Sequence, residues 1–205
     1  MDFKYALLID GGYMLKRLYK TLGGMHASAA DVVADCEHIC RSDVLKTGSL
    51  LRIYFYDAPP ADGQIVNPLS GRATNLAKTD LYRRATSIHD KLELSPDFAL
   101  RLGELAWRGW RINQRSLKKL AKAPRRLEAS DLEPDFKQRG VDLRIGLDIA
   151  RLALRRMLDV VVVVTGDSDM VPAFKFARRE GVRVYLEYLD GEVMRDLKAH
   201  ADLVL

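Results

Sequence analysis

Val160-Val161-Val162-Val163-Val164-Thr165-Gly166-Asp167-Ser168-Asp169 is the stretch whose reading decides the fold. A run this rich in β-branched residues, closed by a glycine and followed by a helical pattern, reads as a central parallel strand of an α/β sheet. The carboxyl end of such a strand is where these sheets hold their ligands. Two carboxylates about 4 Å apart repel by about 4 kcal/mol at an effective dielectric of 20. If Asp167 and Asp169 share a cleft, they therefore need a cation to stay ionised. All-oxygen ligands of this kind suit magnesium or manganese. The competing reading is local: Asp167 or Ser168 caps the helix that follows by accepting hydrogen bonds from its free amides.

A second strand ending shifts that balance. Tyr5-Ala6-Leu7-Leu8-Ile9 is another short apolar run, and Asp10-Gly11-Gly12-Tyr13 turns the chain into a helical pattern over Met14 to Leu18. Asp10 thus also sits at a strand's carboxyl end. Parallel pairing of the two runs brings it within reach of Asp167 and Asp169, and three carboxylates at one sheet edge are hard to assign to capping alone. Upstream of the valines, Ile145, Ile149, Leu152 and Ala153 recur at helical spacing and mark an amphipathic helix. Asp142 lies near its start, where a negative charge also suits the helix dipole. Asp148 lies further along, turned well away from Asp142 at about 100° per residue, so both face one cleft only if Asp142 precedes the helix.

The segment Trp107 to Arg126 carries Arg108, Arg111, Arg115, Lys118, Lys119, Lys122, Arg125 and Arg126 with no acidic residue, and Trp107 and Trp110 stand among the first of them. Such cations neutralise phosphates, and indoles stack on unpaired bases. The plainer reading is a solvated helix face around Leu117, Leu120 and Ala121, with the tryptophans as core anchors.

Further strands are expected at Leu50–Tyr56, Phe98–Leu105 and Val182–Leu189, and helices at Thr79–Leu92 and Glu192–Ala199. Ala61–Gly71 reads as a loop, Ala123–Phe136 as a connection, and Asp57, before Pro59-Pro60, as a turn carboxylate in preference to a place at the cleft mouth. The 205 residues, 48% hydrophobic and 30% charged, fit one globular α/β domain over residues 1–205 with a basic insertion at about 107–139. A formal net charge of +5 favours an anionic partner only where it is clustered. Cys36 and Cys40 have no zinc spacing and poor disulfide geometry, the four histidines form no ligand pattern, and no apolar run approaches a membrane span of roughly 20 residues. A reducing cytoplasm is the expected location.

Ile9-Asp10-Gly11, Gly140-Val141-Asp142 with Asp148, Val164-Thr165-Gly166-Asp167-Ser168-Asp169 and Gly181-Val182-Arg183-Val184 occur in this order along nearly the whole chain. Together they resemble the NYN domain, a branch of the PIN-like nuclease superfamily. The resemblance implies a Rossmann-like three-layer α/β/α sandwich with a mainly parallel sheet. It implies also an aspartate cluster that binds Mg2+ or Mn2+ and supports phosphodiester hydrolysis, usually of RNA. By the same resemblance Asp10, Asp148, Asp167 and Asp169 are metal ligands, and Asp142 completes the catalytic cluster. Where the family often carries Asn after its first aspartate this chain has Tyr13, which becomes a candidate substrate contact through its ring or phenol, with packing inside the domain as the equal alternative for an aromatic at a helix start. Thr165 and Ser168 are candidate phosphate donors or caps, and Arg115, Lys118, Lys119 and Lys122 candidate RNA contacts. The expected activity is that of a metal-dependent ribonuclease acting on single-stranded or structured RNA, with homo-oligomerisation left open. A non-catalytic RNA-binding module and a small-molecule phosphohydrolase are the alternatives.

Overall fold

Strand β1 (Lys4–Asp10) lies in the computed structural model between β2 (Ser49–Asp57) and β8 (Val160–Val164), with Leu7 opposite Ile53 on one side and Val162 on the other. The structure describes residues 3–205. Outward from this centre, β5 (Phe98–Leu102) adds to β2, while β9 (Arg183–Glu187) and β10 (Leu203–Val204) extend β8, giving a six-stranded sheet in the order β10-β9-β8-β1-β2-β5. Every pairing in it is parallel. The β-branched runs belong here because a parallel strand is buried on both faces.

Side-chain alternation sorts each central strand between two apolar layers. Tyr5, Leu7 and Ile9 with Val160, Val162 and Val164 face α1 (Gly11–Thr21), α2 (Ala29–Cys40) and α3 (Asp80–Glu93), from which Met14, Leu18, Val32, Ile39, Ile88 and Leu92 pack back. Ala6, Leu8, Val161 and Val163 face the opposite way. They meet Ile145, Ile149 and Leu152 of α5 (Val141–Leu154) and Phe174 and Ala177 of α6 (Val171–Arg179). The short α7 (Arg195–Ala199) closes this second layer through Leu197. The result is the three-layer α/β/α sandwich.

Two antiparallel ribbons stand outside the sheet. One is the hairpin of β3 (Gln64–Val66) and β4 (Ala73–Asn75). The other is an arm in which β6 (Glu104–Ile112) pairs with β7 (Leu132–Arg139) and α4 (Gln114–Lys122) links them.

Several sequence expectations are corrected here. Phe98–Leu105 is not one strand: it divides at Gly103, where a Cβ would collide with the Arg139 carbonyl, into the sheet strand β5 and the arm strand β6. The supposed connection Ala123–Phe136 ends in β7, whose Pro134 is tolerated because a two-stranded ribbon has free edges. The supposed loop Ala61–Gly71 contains β3. The closing helix starts at Arg195, and the last strand, β10, comprises only Leu203–Val204, too short to show a periodicity. Cys36 and Cys40 are free thiols, the first buried. Among the described residues no helix is long and apolar enough to cross a membrane.

Candidate active site

The pairing of Ile9 with Val164 puts the ends of β1 and β8 side by side, so Asp10 and the Thr165–Asp169 turn leave the same sheet edge together. Asp10 is the last residue of β1 and the cap of α1: its Oδ1 accepts from the Tyr13 amide at 3.0 Å. The helix begins at once, so Gly11 and Gly12 are its first residues and not a separate turn. Gly11 is required by close approach, since a Cβ there would run into the Phe55 ring and the Tyr56 carbonyl. Asp10 Oδ2 is left on the cleft side, 3.5 Å from Thr165 Oγ1.

Asp167 both caps a turn and faces the cleft. Its Oδ1 caps the short turn Ser168–Met170 by accepting from the Asp169 amide at 2.9 Å, and its side chain lines the cleft. Thr165 is fully buried, and its Oγ1 accepts from the Asp167 amide at 3.1 Å. It therefore ties the Asp167 turn to Asp10 and has no surface for a phosphate, which corrects its expected role as a substrate contact. The third acid arrives from the other side of the sheet. Gly140, with φ +74, takes the left-handed conformation that starts α5, and Asp142 in the first turn of that helix faces the same cleft.

Asp10, Asp142 and Asp167 thus line one open cleft of about 620 Å³ with Gly12, Tyr13, Lys16, Gln138 and Ser168. Its electrostatics agree with the geometry. Burial first, and then the charges of Asp142, Asp167 and Asp57, push the Asp10 carboxyl up to about 6 against the opposing pull of the Tyr13 amide. Asp142 is raised by burial and by Asp167 and Asp169. These carboxylates repel one another across the cleft, as acids that share a cation do.

The other expected residues stand elsewhere. Asp169 is exposed at the rim and acts on Asp142 only through its charge. Asp148 is not in the cleft. The phase of α5 turns it toward β2 and β5, where its Oδ2 accepts from the Tyr56 hydroxyl at 2.8 Å and lies 3.5 Å from Arg101 Nε. Tyr13 lines the cleft, but its hydroxyl donates to the Tyr188 carbonyl and its ring fills the space left by Gly166 and Gly191, where any Cβ would overlap it. Its phenol is therefore committed to the fold. Arg115, Lys118, Lys119 and Lys122 are exposed on α4, at the arm's far end from the cleft, and make no ion pair among the described residues. Arg125, in contrast, is clamped to Asp131 by two 2.7 Å bonds, and Arg111 is held by Glu133 and Asp135.

Sequence reasoning missed Lys16 and Gln138. Lys16 lies one turn beyond Tyr13 on the same helix face, a spacing readable once the helix start is known. Gln138 belongs to β7, and no local signal announces it. Asp57, expected in a turn, is instead buried at the end of β2 with Oδ2 2.9 Å from His89 Nε2.

Among the described residues no three Asp, Glu, His or Cys side chains are preassembled around one point. The donor set that faces the cleft nevertheless suits a hard divalent cation, being carboxylate oxygen throughout, with Asp10 desolvated and pressed by like charge.

The NYN domain family profile matches residues 104–205, about half of the chain. Asp142 and Asp167 fall inside that match, and Asp10 comes from before it. Among solved structures, a protein of unknown function from Vibrio parahaemolyticus RIMD 2210633 is similar over 100% of this chain and 92% of its own, with a TM-score of 0.55 and 14% identity. At that identity the likeness concerns the fold alone. No curated protein matches the chain.

Proposed function

The chain belongs to the NYN domain family, part of the PIN-like nuclease superfamily, and from that premise we propose that it is a divalent-metal-dependent ribonuclease working in the Asp10–Asp142–Asp167 cleft. The observation that carries this reading is the convergence of three carboxylates from three elements, one of them desolvated to a pKa of about 6. Capping accounts for Asp10 and Asp167 one at a time, but not for bringing Asp142 beside them, since the repulsion among the three like charges costs stability.

Asp10, Asp142 and Asp167 would hold Mg2+ or Mn2+, with Asp169 adding charge at the rim. When bound, the cation supplies Lewis acidity at the scissile phosphate and an activated water for in-line attack. Thr165 fixes Asp10 and the Asp167 turn relative to each other, so that neither ligand has to be ordered on binding. Lys16, exposed at the cleft wall, offsets the phosphate's charge beside the acids, and the half-buried Ser168 at the cleft lining has a hydroxyl to donate to a phosphate oxygen. Asp148 is outside the ligand set and acts as a structural tie.

The test is cleavage of labelled RNA with Mg2+ or Mn2+, beside a chromogenic phosphomonoester, for wild type and Asp167→Asn. RNA cleavage that stops in excess chelator and falls at least a hundredfold in the variant is expected. RNA binding without cleavage would replace this reading by a non-catalytic module, and turnover of the monoester alone by a small-molecule phosphohydrolase.

A further inference from the structure

We propose that the β6–β7 arm is a stacking track that leads an unpaired RNA strand into the acidic cleft; this names the substrate class of the ribonuclease read above and rests on that reading. Strand parity is the first argument. Gln138 lines the cleft, its Oε1 beside Gly12. Phe136, two residues earlier in β7, stands on the same face, and its cross-strand partner Trp107 shares that face with ring centroids 4.9 Å apart.

Trp110 would point the other way in a regular strand, being three residues from Trp107. The pairing is irregular there: Trp107 is opposite Phe136 while Trp110 is opposite Pro134, so β6 has one residue more than β7 between the two pairs. Gly109 accommodates that bulge with φ +95. The bulge returns Trp110 to the face of Trp107, with the rings edge to face at 6.0 Å. All three aromatics therefore continue the face that carries Gln138 into the cleft, Phe136 lying about 7 Å out from Gln138 at the usual rise per residue.

Exposure and charge identify the occupant. Trp107 is 44% exposed although no side chain of the arm is larger, and among the described residues β6 and β7 pair with no other strand. Arg108 is exposed within the bulge, and α4 beyond it presents the exposed cations Arg115, Lys118 and Lys119, which make no ion pair among the described residues. Aromatic faces flanked by free cations suit a chain of phosphates and bases, and not an apolar peptide. In a duplex the base faces are covered by their neighbours, so only an unpaired strand can lay bases on Trp107 and Phe136.

The chain's two tryptophans are both on the track, so intrinsic fluorescence reports on it directly. The experiment titrates Asp167→Asn protein with an unstructured oligouridine and with an RNA duplex of equal length, following fluorescence and anisotropy. Expected are quenching by oligouridine, affinity for it at least tenfold above that for duplex, a loss of about tenfold in Trp107→Leu and recovery of most of it in Trp107→Phe. Equal affinity for the two RNAs, absence of quenching, or a folded Trp107→Leu protein that binds oligouridine as tightly as its parent overturns the proposal. Parallel cleavage by wild type separates the two readings. Quenching without cleavage overturns the ribonuclease and leaves the track, and cleavage without quenching does the reverse.

Discussion

Asp10 serves two ends at once, capping α1 with one carboxylate oxygen and offering the other to the cleft. Its carboxyl is pushed up to about 6, whereas in an unfolded chain it titrates near 3.9. Well below pH 4 both states are protonated and the group costs nothing. Between those values the unfolded state ionises first and stability falls, and above pH 6 the full penalty, roughly 3 kcal/mol, is present. In chelator, Asp10→Asn should therefore melt on the order of 10 °C above wild type at pH 7.5, with most of the gain gone near pH 4, because Asn keeps the cap and loses the charge. Thermal melts at the two pH values check this. Tyr13 gives the opposite result: its phenol is bonded to Tyr188 and its ring sits on two glycines. Tyr13→Phe should cost about 1 kcal/mol and Tyr13→Ala about 3 kcal/mol, measured by urea unfolding, with RNA affinity per folded molecule little changed. At this scale the sequence made Asp10, Asp142 and Asp167 legible because each ends a strand or starts a helix, places where local pattern fixes position. Asp148 was not legible, since nothing near it in the chain says that Tyr56 and Arg101 wait on its side of α5.

The arm is an element with its own fastening. Asp131, nearly without solvent contact, accepts both terminal nitrogens of Arg125 and the Glu128 amide, and these bonds hold its carboxyl well below the usual carboxylate range. Asn113 adds bonds to the Ser130 and Asp131 carbonyls, so the two ends of the α4 excursion are tied together. A carboxylate of lowered pKa contributes fully above its unfolded value near 3.9 and loses its effect only as pH falls toward its folded value. The clasp should thus be indifferent to pH from neutrality down to about 4. Asp131→Ala should leave Arg125 with only its longer, 3.7 Å pairing to Glu128 and loosen residues 113–131, seen as faster limited proteolysis and amide exchange there with little change in the sheet's protection. The parallel strands were readable because burial on both faces makes them continuous apolar runs. The ribbons were not, because their alternation is diluted by Pro134, by charges on the outer face and by the bulge at Gly109, and their pairing partners are distant in sequence.

Across the whole molecule, acid and base are separated along the path a polyanion would take. The carboxylates gather at the sheet edge where β1 and β8 end, and the free cations lie on α4, beyond the far end of a ribbon that joins the cleft at Gln138. From Gln138 to Leu132 the ribbon spans about 20 Å at the usual strand rise, too far for any α4 side chain to touch a phosphate held between Asp10 and Asp167. The net charge of +5 is therefore less informative than its arrangement: the acids are suited to chemistry and the arm to retention. Replacing Arg115, Lys118, Lys119 and Lys122 together by Gln should lower RNA affinity and reduce the slope of log affinity against log salt by up to about 3, since each cation lost on a single strand releases about 0.7 of a counterion fewer. Turnover at saturating RNA should stay within about twofold of wild type, because no group near the scissile bond has changed. Binding isotherms at several salt concentrations, set beside saturated cleavage rates, measure both quantities. A salt slope equal to that of wild type would make α4 a solvated face with no part in binding, and a fall in saturated rate as large as the fall in affinity would mean that the arm folds its far end back over the acids during reaction.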